Sequence, residues 1–173
     1  MILGMSLPTF TLLHVVISLV GIATGFVVAF GLWNNRALPS WRAIFLATTI
    51  LTSATGFLFP STKFGGPHIF GVISLVLLLP CVLAVQPFAF AGPWRWIYVV
   101  TAMIAQYLNV FVLVVQSFQK IPFLNALAPQ GTEPPFAIAQ GAVFLLFVLL
   151  TVMGVRRFHP GRIGAERASP AVA

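Results

Sequence analysis

Five long apolar runs, separated by short polar or Gly/Pro-rich stretches, occupy most of the chain's 173 residues. They cover residues 8–33, 43–59, 68–85, 94–118 and 136–155. A helix needs about 20 mostly apolar residues to cross the hydrocarbon core of a bilayer. None of the runs keeps the strict alternation of a barrel strand, and each is long for a strand, so helices are expected. The breaks fall at Asn34-Asn35, at Pro60 with Gly65-Gly66-Pro67, at Gly92-Pro93, and in the Pro-rich stretch from Pro122 to Pro135. The pattern predicts an all-α, polytopic membrane bundle of five transmembrane helices over residues 1–158, with a short basic tail over 159–173. The first run is expected to stay as a span, because no Lys or Arg precedes it as a signal peptide's charged region would.

Composition sharpens this picture. Hydrophobic residues make up 60% of the chain and charged residues 6%, where a soluble domain carries about a quarter charged. The net charge of +7 is therefore no nucleic-acid signal, since the basic residues sit at the ends of apolar runs. Arg36, Arg42, Arg95, Arg156, Arg157, Arg162 and Arg167 fall on one side of the expected bilayer, and only Lys63 and Lys120 on the other. The positive-inside rule then places the amino terminus outside and the tail in the cytoplasm. Trp33, Trp41, Trp94 and Trp96 fall on the same cytoplasmic boundary, where amphipathic rings prefer to lie.

Polar and small residues inside the spans mark where helices meet, because close packing and interhelical hydrogen bonds hold membrane bundles together. His14, Ser18, Gly21 and Gly25 share one face of the first span. Gly21 and Gly25 form a GxxxG step that serves either packing within the bundle or self-association. Thr48, Thr49, Thr52, Ser53 and Gly56 line one side of the second span, where the hydroxyls can bond back to their own helix. Pro80 bends the third, and Cys81 beside it reads as a small apolar filler. Tyr98, Ala102, Ala105, Asn109, Gln116 and Lys120 form one face of the fourth, with Gln106 and Tyr107 nearby. The Asn109 amide needs a partner in the bundle, because hydrocarbon offers none.

The alternating span directions bring His14, Ser18, His68, Gln116, Lys120, Glu133 and Gln140 to the outer half. Together with Asn109 they form the candidate polar site. Residues 119–135 are expected to form an interfacial helix or cap above it.

The run Tyr107-Leu108-Asn109-Val110-Phe111-Val112-Leu113-Val114-Val115-Gln116, with Lys120, the later Glu133-Pro134-Pro135-Phe136 and the segment around Thr48, Gly56 and Phe57, resembles a group of small bacterial multi-pass inner-membrane proteins. The resemblance covers most of the chain. It implies a bacterial cytoplasmic membrane and adds no catalytic role, as that group has no established activity.

No serine-hydrolase elbow, zinc-protease helix, phosphate loop or intramembrane acid pair occurs. The only acids are Glu133 and Glu166, whereas ion-coupled transporters normally keep a carboxylate at membrane depth. Two readings remain. One is a non-enzymatic binding or accessory protein, without cofactor, that meets lipid, a membrane-protein partner or a second copy through Gly21 and Gly25. The other is a redox protein with His14 and His68 as axial ligands of a haem b held between spans one and three.

Overall fold

A computed structural model describes residues 2–60 and 65–160. The described chain is all helical apart from turns and a single bridge between Ile2 and Met5. Six helices follow in order: α1 (Leu7–Trp33), α2 (Pro39–Gly56), α3 (Gly66–Val85), α4 (Trp94–Lys120), α5 (Pro122–Leu127) and α6 (Pro134–Arg157). Lys63 and the tail residues Arg162, Glu166 and Arg167 lie outside the described residues.

Four helices, α1, α3, α4 and α6, are long and apolar enough to cross a membrane. The fifth expected span, α2, falls outside that set. That helix is 18 residues long and opens with Pro39-Ser40-Trp41-Arg42. Its hydroxyl residues dilute the apolar content further. Several of those hydroxyls are spent on its own backbone, Thr48 on Ile44 O at 2.7 Å and Ser53 on Thr49 O at 2.9 Å.

Local chemistry sets the helix ends. Ser6 Oγ accepts the Thr9 N–H at 3.3 Å and Pro8 occupies the first turn of α1, where a missing N–H costs nothing. The α1–α2 turn is tight: Asn35 and Leu38 have positive φ, and Arg36 N–H reaches Gly31 O at 2.7 Å. A Cβ at Gly31 would lie 3.0 Å from Arg36 O and crowd the Leu38 side chain. The two helices then run antiparallel in a fixed register, with His14 opposite Thr55, Ser18 opposite Thr52 and Gly21 opposite Thr48.

Helix α4 is the centre of the bundle and packs on α1, α3, α5 and α6. Its inner face, Tyr98, Val99, Ala102, Met103 and Ala105, joins Val28 and Leu32 of α1, Phe45 of α2, Leu78 and Cys81 of α3 and Phe158 at the end of α6 in one core. Cys81 is buried in it as a small filler. Helix α6 lies at the edge, with only Phe147 and Gly154 buried.

The two ends of the bundle differ. At one, Arg95 Nη1 donates to Val155 O at 2.9 Å and Phe158 O at 2.7 Å, closing the carboxyl end of α6 onto α4. His159 N–H donates to Asn35 Oδ1 at 2.6 Å. Arg42 lies over the Phe90 ring at 5.2 Å and Arg157 over Trp33 at 5.7 Å. Every described arginine and all four tryptophans sit at or beside these helix ends. The opposite end carries aromatic contacts, Phe10 on Phe59 and Phe118 on Phe136. There α5 lies beyond α4, its Asn125 Nδ2 donating to Phe118 O at 3.2 Å. A short helix, α5, is present in the stretch 119–135 where an interfacial helix or cap is expected.

Candidate functional site

The register of α1 on α2 places His14 beside Thr55, and that pair starts a seam of polar groups running inward between α1, α2 and α4. His14 Nδ1 lies 2.8 Å from Thr55 Oγ1. Thr55 Oγ1 is also 2.7 Å from Leu51 O. Two oxygens that close require a proton between them, and a carbonyl can only accept. The single Thr55 proton therefore points to Leu51 O, and Thr55 accepts from His14 Nδ1–H. With Thr55 accepting, the neutral imidazole carries its proton on Nδ1, and Nε2 meets no hydrogen-bond partner among the described residues. The ring stands edge-on to Phe59 at 5.1 Å and passes over Gly56, where a Cβ would lie 4.0 Å from Cε1. The half-buried imidazole is thus held on three sides. The Lys120 ammonium, at the end of α4, lies within electrostatic reach of it.

One turn deeper, Ser18 Oγ bonds back to His14 O at 2.7 Å and lies 3.3 Å from Thr52 Oγ1. Asn109 of α4 donates from Nδ2 to the buried Thr49 Oγ1 at 3.3 Å. At the inner limit of the seam stands Gln106, with no exposed surface. Its Nε2 donates to Ile22 O at 2.8 Å, while Oε1 is buried with no hydrogen-bond partner among the described residues. An unpaired amide oxygen in this setting is costly, so the residue occupies a position where shape overrides polarity. That shape is the notch left by Gly25, where a Cβ would run into the Gln106 side chain.

The GxxxG step is therefore filled from within. Gly21 meets Thr48, with a would-be Cβ 3.2 Å from its hydroxyl, and Gly25 meets Gln106. Both glycines are buried. Within the chain, α2 and α4 occupy the approach that these small residues allow.

The expected outer constellation divides. His14 and Ser18 line the seam with Asn109, and Lys120 stands near its mouth with its side chain exposed. Gln116 is exposed one turn before Lys120. Gln140 serves a different contact, donating from Nε2 to Phe111 O at 3.2 Å and so tying α6 to α4. His68 packs at 5.8 Å on Phe57, and its Nδ1 lies 3.4 Å from Gly65 N–H. Glu133 turns into its own loop, accepting the N–H groups of Gln130 and Thr132 at 3.0 Å each. The Gln130 amide is the main reason its carboxyl is held below the usual carboxylate range. His68, Glu133 and Gln140 thus have neighbours of their own, and a single shared pocket is not formed.

The same geometry bears on the haem reading. Helix α2 packs on both α1 and α3, and each histidine is engaged with it or with the turn that follows it, His14 through Thr55 and Phe59 and His68 through Phe57. A haem clamped between α1 and α3 would have to displace these side chains.

Sequence reasoning underrated Gln106 and passed over Thr55. The available signal was the spacing of Gln106 and Asn109, one turn apart on α4, opposite the small and hydroxyl faces of α1 and α2. No known protein family matches the chain, and no curated protein or solved structure matches it significantly.

Proposed function

We propose that this protein is a non-enzymatic binding or accessory protein of a bacterial cytoplasmic membrane, with α1, α2, α3, α4 and α6 all crossing the bilayer. Its recognition site is the mouth of the α1–α2–α4 seam, at His14 and Lys120. The support for a fifth crossing is the register of α2, which pairs with α1 from Thr48 to Thr55; 18 residues extend about 27 Å, close to the hydrocarbon thickness. The clustering of arginine and tryptophan at one end favours that end as the cytoplasmic one, with the amino terminus in the periplasm. The resemblance to small inner-membrane proteins favours the same compartment.

The observation that carries the binding reading is the His14–Thr55 contact at the edge of the bundle, Nδ1 to Oγ1 at 2.8 Å. It holds the imidazole in one orientation, with the Lys120 charge within electrostatic reach. Such a pair suits a lipid-phase molecule or membrane-protein segment that donates a hydrogen bond to Nε2 and offers a polar or anionic group to the ammonium.

A photoreactive side chain at the exposed Gln116 tests this in native membranes. A discrete adduct is expected, lost in His14→Ala and kept in Val112→Ala. No adduct, or one that persists unchanged in His14→Ala, rules the site out.

A further inference from the structure

At the other end of the bundle, and independently of the seam, a cavity of about 510 Å³ opens between the α3–α4 turn and the end of α6. We infer that this cavity binds a phosphate group, as borne by the headgroup of an anionic phospholipid. Its walls include Phe90 and Gly92 of the turn, Arg95 of α4, and His159 and Pro160 beyond α6.

Arg95 is the anchor. Its Nη1 is committed to Val155 O and Phe158 O, which fixes the plane of the half-buried guanidinium. Its Nε and Nη2 hydrogens meet no acceptor among the described residues. A guanidinium presents its donors as a rigid fork that matches phosphate oxygens, and here the fork is oriented before any ligand arrives. His159 is fixed in the same way. Its backbone N–H is bonded to Asn35 Oδ1 and its ring Nδ1 lies 3.2 Å from Arg157 O, which can only accept.

The surrounding field has one sign. Arg42 lies over the ring of Phe90, a wall of the cavity, and Arg156 and Arg157 immediately precede Phe158. Among the described residues the only carboxylate is Glu133, at the far end of the bundle. No counter-ion is therefore supplied by the described residues, and an anion from outside meets Arg95 in the cavity wall.

The depth and size favour a lipid as the source of that anion. Trp94 and Trp96 flank Arg95, Trp96 exposed and Trp94 stacked on Phe88 at 4.0 Å, and tryptophan marks the headgroup level. The cavity is open at the surface and larger than a phosphate ion needs. Basic pockets between membrane helices are suited to anionic headgroups.

The test is native mass spectrometry of the full chain in detergent, titrated with phosphatidylglycerol, with phosphatidylcholine, and with inorganic phosphate alone. Phosphatidylglycerol is expected to be retained in preference to phosphatidylcholine. Arg95→Gln should weaken that retention about fivefold, the share of one cation at a membrane surface. His159→Ala should weaken it too, and because that ring packs at the rim while its backbone makes the anchoring bond, this variant remains informative if Arg95→Gln fails to fold. Adducts of inorganic phosphate that His159→Ala removes would support the same site with a free anion as ligand. Equal retention of the two lipids with no phosphate adduct overturns the inference. So does a phosphatidylglycerol preference that His159→Ala leaves intact.

Discussion

The side-chain amide of Gln106 occupies the space that a methyl group on Gly25 would take. One residue is large, polar and fully buried, and the other is the only residue type that leaves room for it. The contact sets how closely α1 approaches α4, and it fixes Gln106 Nε2 on Ile22 O.

Gly25→Ala should therefore destabilise the bundle by about 1–3 kcal/mol, the usual cost of overpacking. The cost should fall by more than half in a Gln106→Ala background, where the obstructing amide is gone. Unfolding of all four proteins in mixed micelles closes the cycle. An equal penalty in both backgrounds would show that the two side chains do not compete for one space.

The His14 tautomer is open to direct measurement. With Thr55 accepting from Nδ1–H, nitrogen-15 spectra should show a protonated Nδ1 and a bare Nε2 in the neutral ring. Thr55→Val removes the acceptor and should populate the opposite tautomer. A wild-type protein whose proton resides on Nε2 would remove the physical basis for the proposed recognition site.

Arg95 joins α4 to the end of α6 through two charge-assisted hydrogen bonds. Losing such a bond costs about 1.5–3 kcal/mol. Arg95→Gln should lower stability by that order and speed amide exchange over the last turn of α6. The exposed Arg36 is the control, and Arg36→Gln should stay within about 0.5 kcal/mol. Equal effects at the two sites would reduce Arg95 to a topology signal.

Glu133 closes its turn through the Gln130 and Thr132 amides, and these bonds hold its carboxyl below the ordinary range. A carboxylate with a depressed folded value contributes above the ordinary range, near pH 4, and loses that contribution as pH falls through the folded value. Intrinsic exchange corrected, the Gln130 and Thr132 amides should be protected at neutral pH and lose protection only in acid. Glu133→Gln should expose them at every pH. Protection indifferent to both pH and substitution would mean the carboxylate does not hold the turn.

The proposed crossing of α2 makes a parity prediction. Periplasm-active and cytoplasm-active reporters at the two termini should give an outside amino end and an inside carboxyl end. If α2 lies in the interface instead, both termini fall on one side and the fivefold topology fails.

The helices themselves were legible in the sequence because lipid imposes a one-dimensional rule: a backbone in hydrocarbon must satisfy itself over about 20 residues. The apolar runs, their Gly/Pro breaks and the arginine asymmetry follow from that rule, and α1, α3, α4 and α6 match it closely. Helix α2 fits it less well, since it opens with Pro39-Ser40-Trp41-Arg42 and carries several hydroxyl residues.

Asn109 was readable as a buried amide needing a partner, but not that the partner is Thr49. Pairings of this kind depend on rotation and register, which hydrophobic pattern does not encode inside a membrane. A lipid-facing and a core-facing residue are both apolar, so the usual inside-out contrast is missing. Tertiary structure alone decided that Gly21 and Gly25 are consumed by Thr48 and Gln106, and that His68, Glu133 and Gln140 each find their own neighbours. It also decided that Arg95, one more basic residue at a helix end by sequence, is the clamp that holds α6 to α4. A guanidinium's partners are set by where distant carbonyls converge, and Val155 and Phe158 come to Arg95 only when the helices pack.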